Sequence, residues 1–189
     1  LGQKELAIKH FKKALLIEPN FSEVYNNLGI SLQDLNLYED AIEQYEKALE
    51  INPTLIDAHL NLGSIYQDLE KVNQAIEHYN EALSIDPDSA EVYNNLGVIF
   101  QELGDIDQAL EYYNKALEIN PIFADAFFNL GFIYQDLGQV KNSINNYENA
   151  ISINNHAMAY HNLSYLMDFK SNDQYITQVY IGYSVKDAK

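Results

Sequence analysis

The stretch that decides the fold is residues 53–86, PTLIDAHLNLGSIYQDLEKVNQAIEHYNEALSID, which returns at residues 87–120 as PDSAEVYNNLGVIFQELGDIDQALEYYNKALEIN. Proline opens both stretches. Leu62-Gly63 becomes Leu96-Gly97, Ala75 becomes Ala109, Tyr79 becomes Tyr113 and Ala82 becomes Ala116. The register continues outward in both directions. The chain's four prolines, Pro19, Pro53, Pro87 and Pro121, stand 34 residues apart, and Asn155 falls where a fifth would be. Leu28-Gly29 and Leu130-Gly131, Tyr45 and Tyr147, Ala41 and Ser143, and Ala48 and Ala150 complete the columns. A fixed period of this length marks repeated helical units.

Each unit reads as two helices. Ile56 to Leu69 places Leu62, Ile65, Tyr66 and Leu69 on one face, and Val72 to Ile85 does the same with Val72, Ile76, Tyr79, Leu83 and Ile85. Apolar residues at these spacings predict helices with one buried stripe each. Gly104 and Gly138 suit a left-handed residue in the turn between the two helices. Asn36 tolerates that conformation, and Glu70 departs from the pattern. Each proline stops the second helix, because the residue before it is pushed out of the helical region. The small residues at 29, 63, 97 and 131 and in the alanine columns let helix axes approach. One hairpin cannot bury its apolar face alone, so stability must come from stacking on the next. The expected class is therefore all-α, built from stacked antiparallel helix pairs.

The expected divisions are a second helix of a truncated repeat at 1–18, full repeats at 19–52, 53–86, 87–120 and 121–154, and an atypical last repeat with a capping helix at 155–189. In the first stretch, Ala7, Phe11 and Ala14 match Ala41, Tyr45 and Ala48, and Gly2 matches the turn glycine. Further repeats are expected upstream of it. It is also the basic stretch, with Lys4, Lys9, Lys12 and Lys13. Near the other end, residues 159–164 copy residues 126–131 after 33 positions instead of 34, so one residue is missing from the connecting turn. A last helix is expected from about Ser171. Ser171 and Gln174 fit a capping box there, and Ile176, Val179, Tyr180 and Tyr183 form the apolar face.

Charge and composition narrow the partners. The net charge is −17, and all eleven basic residues are lysine. Such a chain does not hold nucleic acid by neutralising phosphates, and it lacks the guanidinium fork that best recognises phosphate. Its field favours polar or basic partners. Cysteine is absent, which removes disulfides, thiol nucleophiles and zinc-cysteine sites. No apolar run approaches the roughly 18 residues of a membrane span, and no signal peptide is visible. A cytoplasmic setting is the expectation, with no membrane contact.

The columns resemble the tetratricopeptide repeat family over roughly residues 1–165. That resemblance implies a right-handed superhelical solenoid whose concave side is lined by the first helix of each unit. By position, this side carries an asparagine column, Asn27, Asn61, Asn95, Asn129 and Asn162. A carboxamide holds a donor and an acceptor together, so the column suits the main chain of an extended peptide. The arrangement is similar to the repeats of O-linked N-acetylglucosamine transferase, whose asparagine ladder holds peptide main chain. A second column is Gln33, Gln67, Gln101 and Gln135, each followed by an acid, Asp34, Asp68, Glu102 and Asp136. A third is Glu23, Asp57, Glu91 and Asp125. One position varies, as Asn26, Leu60, Asn94 and Phe128, with His161 at the shifted place. Variation against a constant background is where specificity would be written, with Leu60 and Phe128 as apolar anchors. The family's chaperone-binding members clamp a terminal carboxylate with Lys, Asn and Arg. Acids stand in this chain where those cations would be, which argues against that role.

Nothing points to catalysis, a metal or a cofactor. The five histidines, His10, His59, His78, His156 and His161, show no helical pair at metal-ligand spacing. His59 stands where Tyr25, Tyr93 and Phe127 stand in other units, which makes it a packing residue. The expected function is a non-enzymatic module that binds an extended, polar or basic segment of another protein. Two alternatives stay open. One is a substrate-docking region of a larger bacterial transferase, glycosyl- or sulfotransferase-like, since residues 162–183 look like a junction to a sulfotransferase-like domain. The other is a scaffold that self-assembles into a homo-oligomer through exposed repeat ends.

Overall fold

The computed structural model describes residues 2–169. Among these residues there are ten helices and no strand: α1 Gly2–Ile17, α2 Ser22–Gln33, α3 Tyr38–Ile51, α4 Ile56–Asp68, α5 Val72–Ile85, α6 Ala90–Glu102, α7 Ile106–Ile119, α8 Ala124–Asp136, α9 Val140–Asn154 and α10 Ala157–Phe169. The chain divides into two compact units. The first is Leu1–Asp105 and holds α1 to α6; the second starts at Ile106 and holds α7 to α10. Within the first unit, α2 pairs with α3 and α4 with α5, and each helix packs on the next along the chain. Within the second, α8 pairs with α9, while α7 and α10 pack on this pair. The all-α, helix-pair class read from the periodicity is the observed one.

First helices end in one recurring device. Asn36, Glu70, Gly104 and Gly138 all have φ between 58° and 79°. The N–H before and at the exit of each turn bonds back in the same way. Glu70 donates to the Gln67 carbonyl at 2.9 Å and Lys71 to that of Tyr66 at 2.8 Å. Gly104 and Asp105 do the same with Gln101 and Phe100. This paired closure is the Schellman motif, which satisfies carbonyls that a helix end would otherwise orphan. A Cβ added at Gly104 or Gly138 would meet nothing within 4 Å. Glycine stands there for its backbone freedom, and Glu70 holds the same shape at a steric cost.

Packing explains the other glycines and the tyrosine column. Tyr45, Tyr79 and Tyr147 are buried. Each ring lies directly on the glycine sixteen residues earlier. A Cβ on Gly29, Gly63 or Gly131 would sit 2.5, 2.4 or 2.6 Å from that ring. The close approach anticipated for these glycines is thus between a helix backbone and an aromatic face. The alanine columns are buried as well, with Ala41, Ala48, Ala75 and Ala82 at 0% exposure in the first unit. Ser143 replaces alanine in the second unit and donates its hydroxyl to the Gly131 carbonyl at 2.8 Å, so its burial is satisfied.

Second helices end as proline requires. Asn52 and Asp86, just before Pro53 and Pro87, are extended, with ψ of 90° and 97°. Their side chains also close the turn: Asn52 Oδ1 accepts from the Thr54 N–H, and Asp86 Oδ1 from the Asp88 N–H. The connection that lacks proline is built differently. Asn155 is left-handed at φ 54°, and the His156 Nδ1 accepts from the Ala159 N–H at 3.2 Å, capping α10. One shorter turn is thereby closed by an αL residue and an imidazole cap. The helix expected from Ser171, with Gln174, Ile176, Val179, Tyr180 and Tyr183, lies outside the described residues. No helix among those described is long and apolar enough to cross a membrane.

Candidate peptide-binding surface

The candidate residues lie on α2, α4 and α6 in the first unit and, separately, on α8 and α10 in the second. The asparagines among them occupy two kinds of setting. Asn27 is exposed, while Asn61, Asn95 and Asn162 are half-buried. Asn61 donates from Nδ2 to Asn26 Oδ1 at 3.0 Å, bolting α4 to α2. Asn162 donates to the Tyr147 hydroxyl at 3.1 Å. Asn95 hydrogen-bonds the Tyr79 hydroxyl. Asn129 is engaged too. In Asn61 and Asn162 the bond uses one amide hydrogen and leaves Oδ1 and a second N–H on the carboxamide.

Two members of the glutamine column also meet tyrosine hydroxyls, one of them that of Tyr147. Tyr45 donates its hydroxyl to Gln33 Oε1 at 2.8 Å, and Tyr147 donates to Gln135 Oε1 at 2.9 Å. Burial pushes the Tyr45 hydroxyl well above the ordinary tyrosine range, and the Asp34 carboxylate adds to the rise. Burial does the same to Tyr79 and Tyr147, against the pull of their asparagine bonds. These phenols therefore keep their protons, and those of Tyr45 and Tyr147 act as donors. Gln67 points elsewhere, donating from Nε2 to Glu102 Oε2 at 3.3 Å.

The two acid columns sit at opposite helix ends. Glu23, Asp57, Glu91 and Asp125 lie in the first turns of their helices, where a negative charge suits the positive end of the helix dipole. Asp125 also takes the His156 Nε2 at 3.2 Å. Asp34, Asp68, Glu102 and Asp136 lie at the last turns or C-caps, where the dipole disfavours them. All four are exposed. At one of them a cation is already in place. Lys4 Nζ lies 2.9 Å from Asp34 Oδ2 and 3.3 Å from the Asp34 carbonyl oxygen. One repeat further on, the residues in Lys4's place are Tyr38 and Val72, which carry no cation. Asp68 and Asp136 have no ion-pair partner among the described residues.

At the variable position, Asn26 and Asn94 are buried, while Leu60 and Phe128 are half-buried. Phe128 stacks on His156, with ring centroids 4.6 Å apart, and packs against the core around Tyr147 and Leu163. His161 is exposed. His59 is buried, in keeping with a packing residue, but it also bonds His78 on α5. Three features were not read from the sequence: the bolt from Asn61 to Asn26, the bonds from the Tyr45 and Tyr147 hydroxyls to the glutamine column, and the His59–His78 pair. The constant spacing of twelve from Gln33 to Tyr45 and from Gln135 to Tyr147 carried the second. Nothing in the spacing signalled the histidine pair. Among the described residues no three potential metal ligands come together.

Comparison with known proteins agrees with this architecture. Three family models match, described as tetratricopeptide repeat or TPR repeat, at residues 54–121, at 32–70, and at 10–43 with 112–145. A search of curated proteins gave no match. Among solved structures, a crystal structure of MamA is 29% identical with a TM-score of 0.68, covering 80% of this chain and 88% of MamA. Pseudomonas aeruginosa pilF is 26% identical with a TM-score of 0.72, over 79% of this chain and 68% of its own. YrrB, described as a TPR protein with an unusual peptide-binding site, is 24% identical with a TM-score of 0.64, over 89% and 87%. The last likeness is one of fold alone. With helix pairs, turn closures and family matches in one register, the chain belongs to the tetratricopeptide repeat family of protein-interaction modules.

Proposed function

We propose that the first-helix face of each unit binds an extended, lysine-bearing segment of another protein. The asparagines would take its main chain and the acids its ammonium groups. The observation that carries this reading is the column Asp34, Asp68, Glu102 and Asp136. An acid at a helix C-terminus works against the dipole, yet the chain places one there in four consecutive first helices. Lys4 on Asp34 supplies the template: an ammonium held between a carboxylate and a helix-terminal carbonyl. Asp68 and Asp136 offer a ligand the same pair of acceptors. Asn27, Asn61 and Asn95, with Gln33, Gln67 and Gln101, form the polar floor proposed for the first unit, and Asn129, Asn162 and Gln135 that for the second. Leu60 is the first unit's half-buried apolar contact.

Fluorescence anisotropy with labelled octalysine and octaglutamate tests the reading. Octalysine should bind, weakening steeply with salt as exposed charge pairs do, and octaglutamate should not. Neutralising Asp68→Asn and Asp136→Asn together should weaken octalysine several-fold more than Glu46→Gln with Glu50→Gln. Those two glutamates are exposed on α3, so the control changes net charge equally. Equal effects of the two double variants would reduce the binding to the bulk field of the protein and sink the assignment.

A second reading is favoured by α1, where Leu6, Leu16 and Ile17 are exposed by 53, 84 and 87%. Association of copies through this helix would cover them. Light scattering over a range of concentrations tests it, and a monomer throughout would remove it.

A further inference from the structure

We infer that Tyr147 is a positioning residue for main-chain recognition, orienting the ladder asparagine Asn162; this rests on the peptide-binding reading above. A hydroxyl has one proton to give. Tyr147 gives it to Gln135 Oε1 at 2.9 Å, so its oxygen can only accept from Asn162, whose Nδ2 stands 3.1 Å away. The relay Asn162 to Tyr147 to Gln135 therefore fixes which way the Asn162 carboxamide faces. Its nitrogen edge turns to the buried phenol, and its Oδ1 is turned off it. Tyr147 is inaccessible, at 0% exposure, while Asn162 is half-buried. The phenol is thus the hidden side of an amide whose other edge reaches the surface.

A carboxamide held this way offers an acceptor and its second N–H to an extended main chain. An unheld asparagine turns freely about its terminal torsion and must be ordered on binding. Ordering one side chain costs an amount equivalent to about 2- to 12-fold in affinity, which is the contribution assigned to Tyr147. The relay also identifies the complementary group. The fixed Oδ1 calls for a main-chain N–H donor, so the ligand is recognised by its backbone and not only by its lysines.

The test compares octalysine with an octalysine N-methylated at alternate main-chain nitrogens, which keeps the charge and removes N–H donors. The wild-type chain should prefer the unmethylated peptide by several-fold. Tyr147→Phe should lower that ratio by about 2-fold or more while the salt dependence stays as in the wild type. Asn162→Ala, which spares the buried ring, should do the same and guards against a fold defect in the tyrosine variant. An unchanged ratio in both variants would overturn the relay and leave the acid-column reading intact. Failure of octalysine to bind the wild-type chain would overturn both.

Discussion

The Nδ1 atoms of His59 and His78 lie 3.1 Å apart, joining α4 to α5 by an imidazole–imidazole hydrogen bond. The protons in this pair can be placed. His59 Nε2 is 3.2 Å from the Pro53 carbonyl, which only accepts, so Nε2 carries a hydrogen. Neutral His59 then has a bare Nδ1, and His78 donates to it. Tyr66 stacks on the outer ring at 5.5 Å, with Lys71 over Tyr66. Protonating both rings would set two N–H groups against each other.

This geometry makes the first unit acid-sensitive. Burial lowers the pKa of His78 from its ordinary 6.5, His59 lowers it further, and Glu77 and Glu81 pull it back up. A histidine lowered in the folded state binds fewer protons there than in the unfolded chain. Its contribution is complete above pH 6.5 and is lost as the pH falls from there through the folded pKa. Thermal melts from pH 7.5 to 5 should show a falling Tm in the wild type. His59→Tyr, which installs the residue found at Tyr25 and Tyr93, should flatten that part of the profile. An equal fall in both proteins would exclude the pair as its source.

Gly63→Ala should destabilise the chain by about 1–3 kcal/mol, the usual range for overpacking. The new Cβ would sit 2.4 Å from the Tyr79 ring, which is fully enclosed and has nowhere to move. Urea denaturation measures the loss. The double change Gly63→Ala/Tyr79→Leu should recover part of it, because the opposing ring is gone.

Glu70→Gly should stabilise by up to about 1 kcal/mol. The left-handed conformation costs a non-glycine residue about 1–2 kcal/mol, partly offset by the entropy glycine loses on folding. Glu70 has φ 58° in the same closure that Gly104 and Gly138 make in other repeats. Asn36→Gly should gain less, since asparagine tolerates this region. Paired melts of the two variants check the order.

His156→Ala should loosen the start of α10 by about 0.5–2 kcal/mol, the range for losing an N-cap. The variant removes both the bond from the Ala159 N–H and the contact with Asp125. Hydrogen exchange should quicken at the first turn of α10 and stay unchanged in α2 to α5.

The fold was legible because its determinants are local and repeated. Proline before α2, α4, α6 and α8, small residues under Tyr45, Tyr79 and Tyr147, and turn residues at 36, 70, 104 and 138 each act within one hairpin, so one register exposes them all. The surface was less legible. Asn61 was read as facing a ligand, but periodicity shows which side of a helix a residue occupies and not which hydrogen it spends on a neighbour. Asn26 and Phe128 stood at a position that varies, and the structure places Asn26 in a buried bond and Phe128 against His156. The His59–His78 bond joins a column that holds histidine at 59 alone to one that holds it at His10 and His78, so no recurrence of the pair could signal it.

The most direct measurement of the central claim is a titration of the full 189-residue chain, labelled with nitrogen-15, with octalysine, following side-chain amide resonances. The account predicts that the carboxamide signals of Asn61, Asn95 and Gln67 shift together and saturate, while those of Asn73, Asn80 and Asn114 on the second helices stay in place. Shifts confined to the second helices, or spread evenly over every amide, would contradict it.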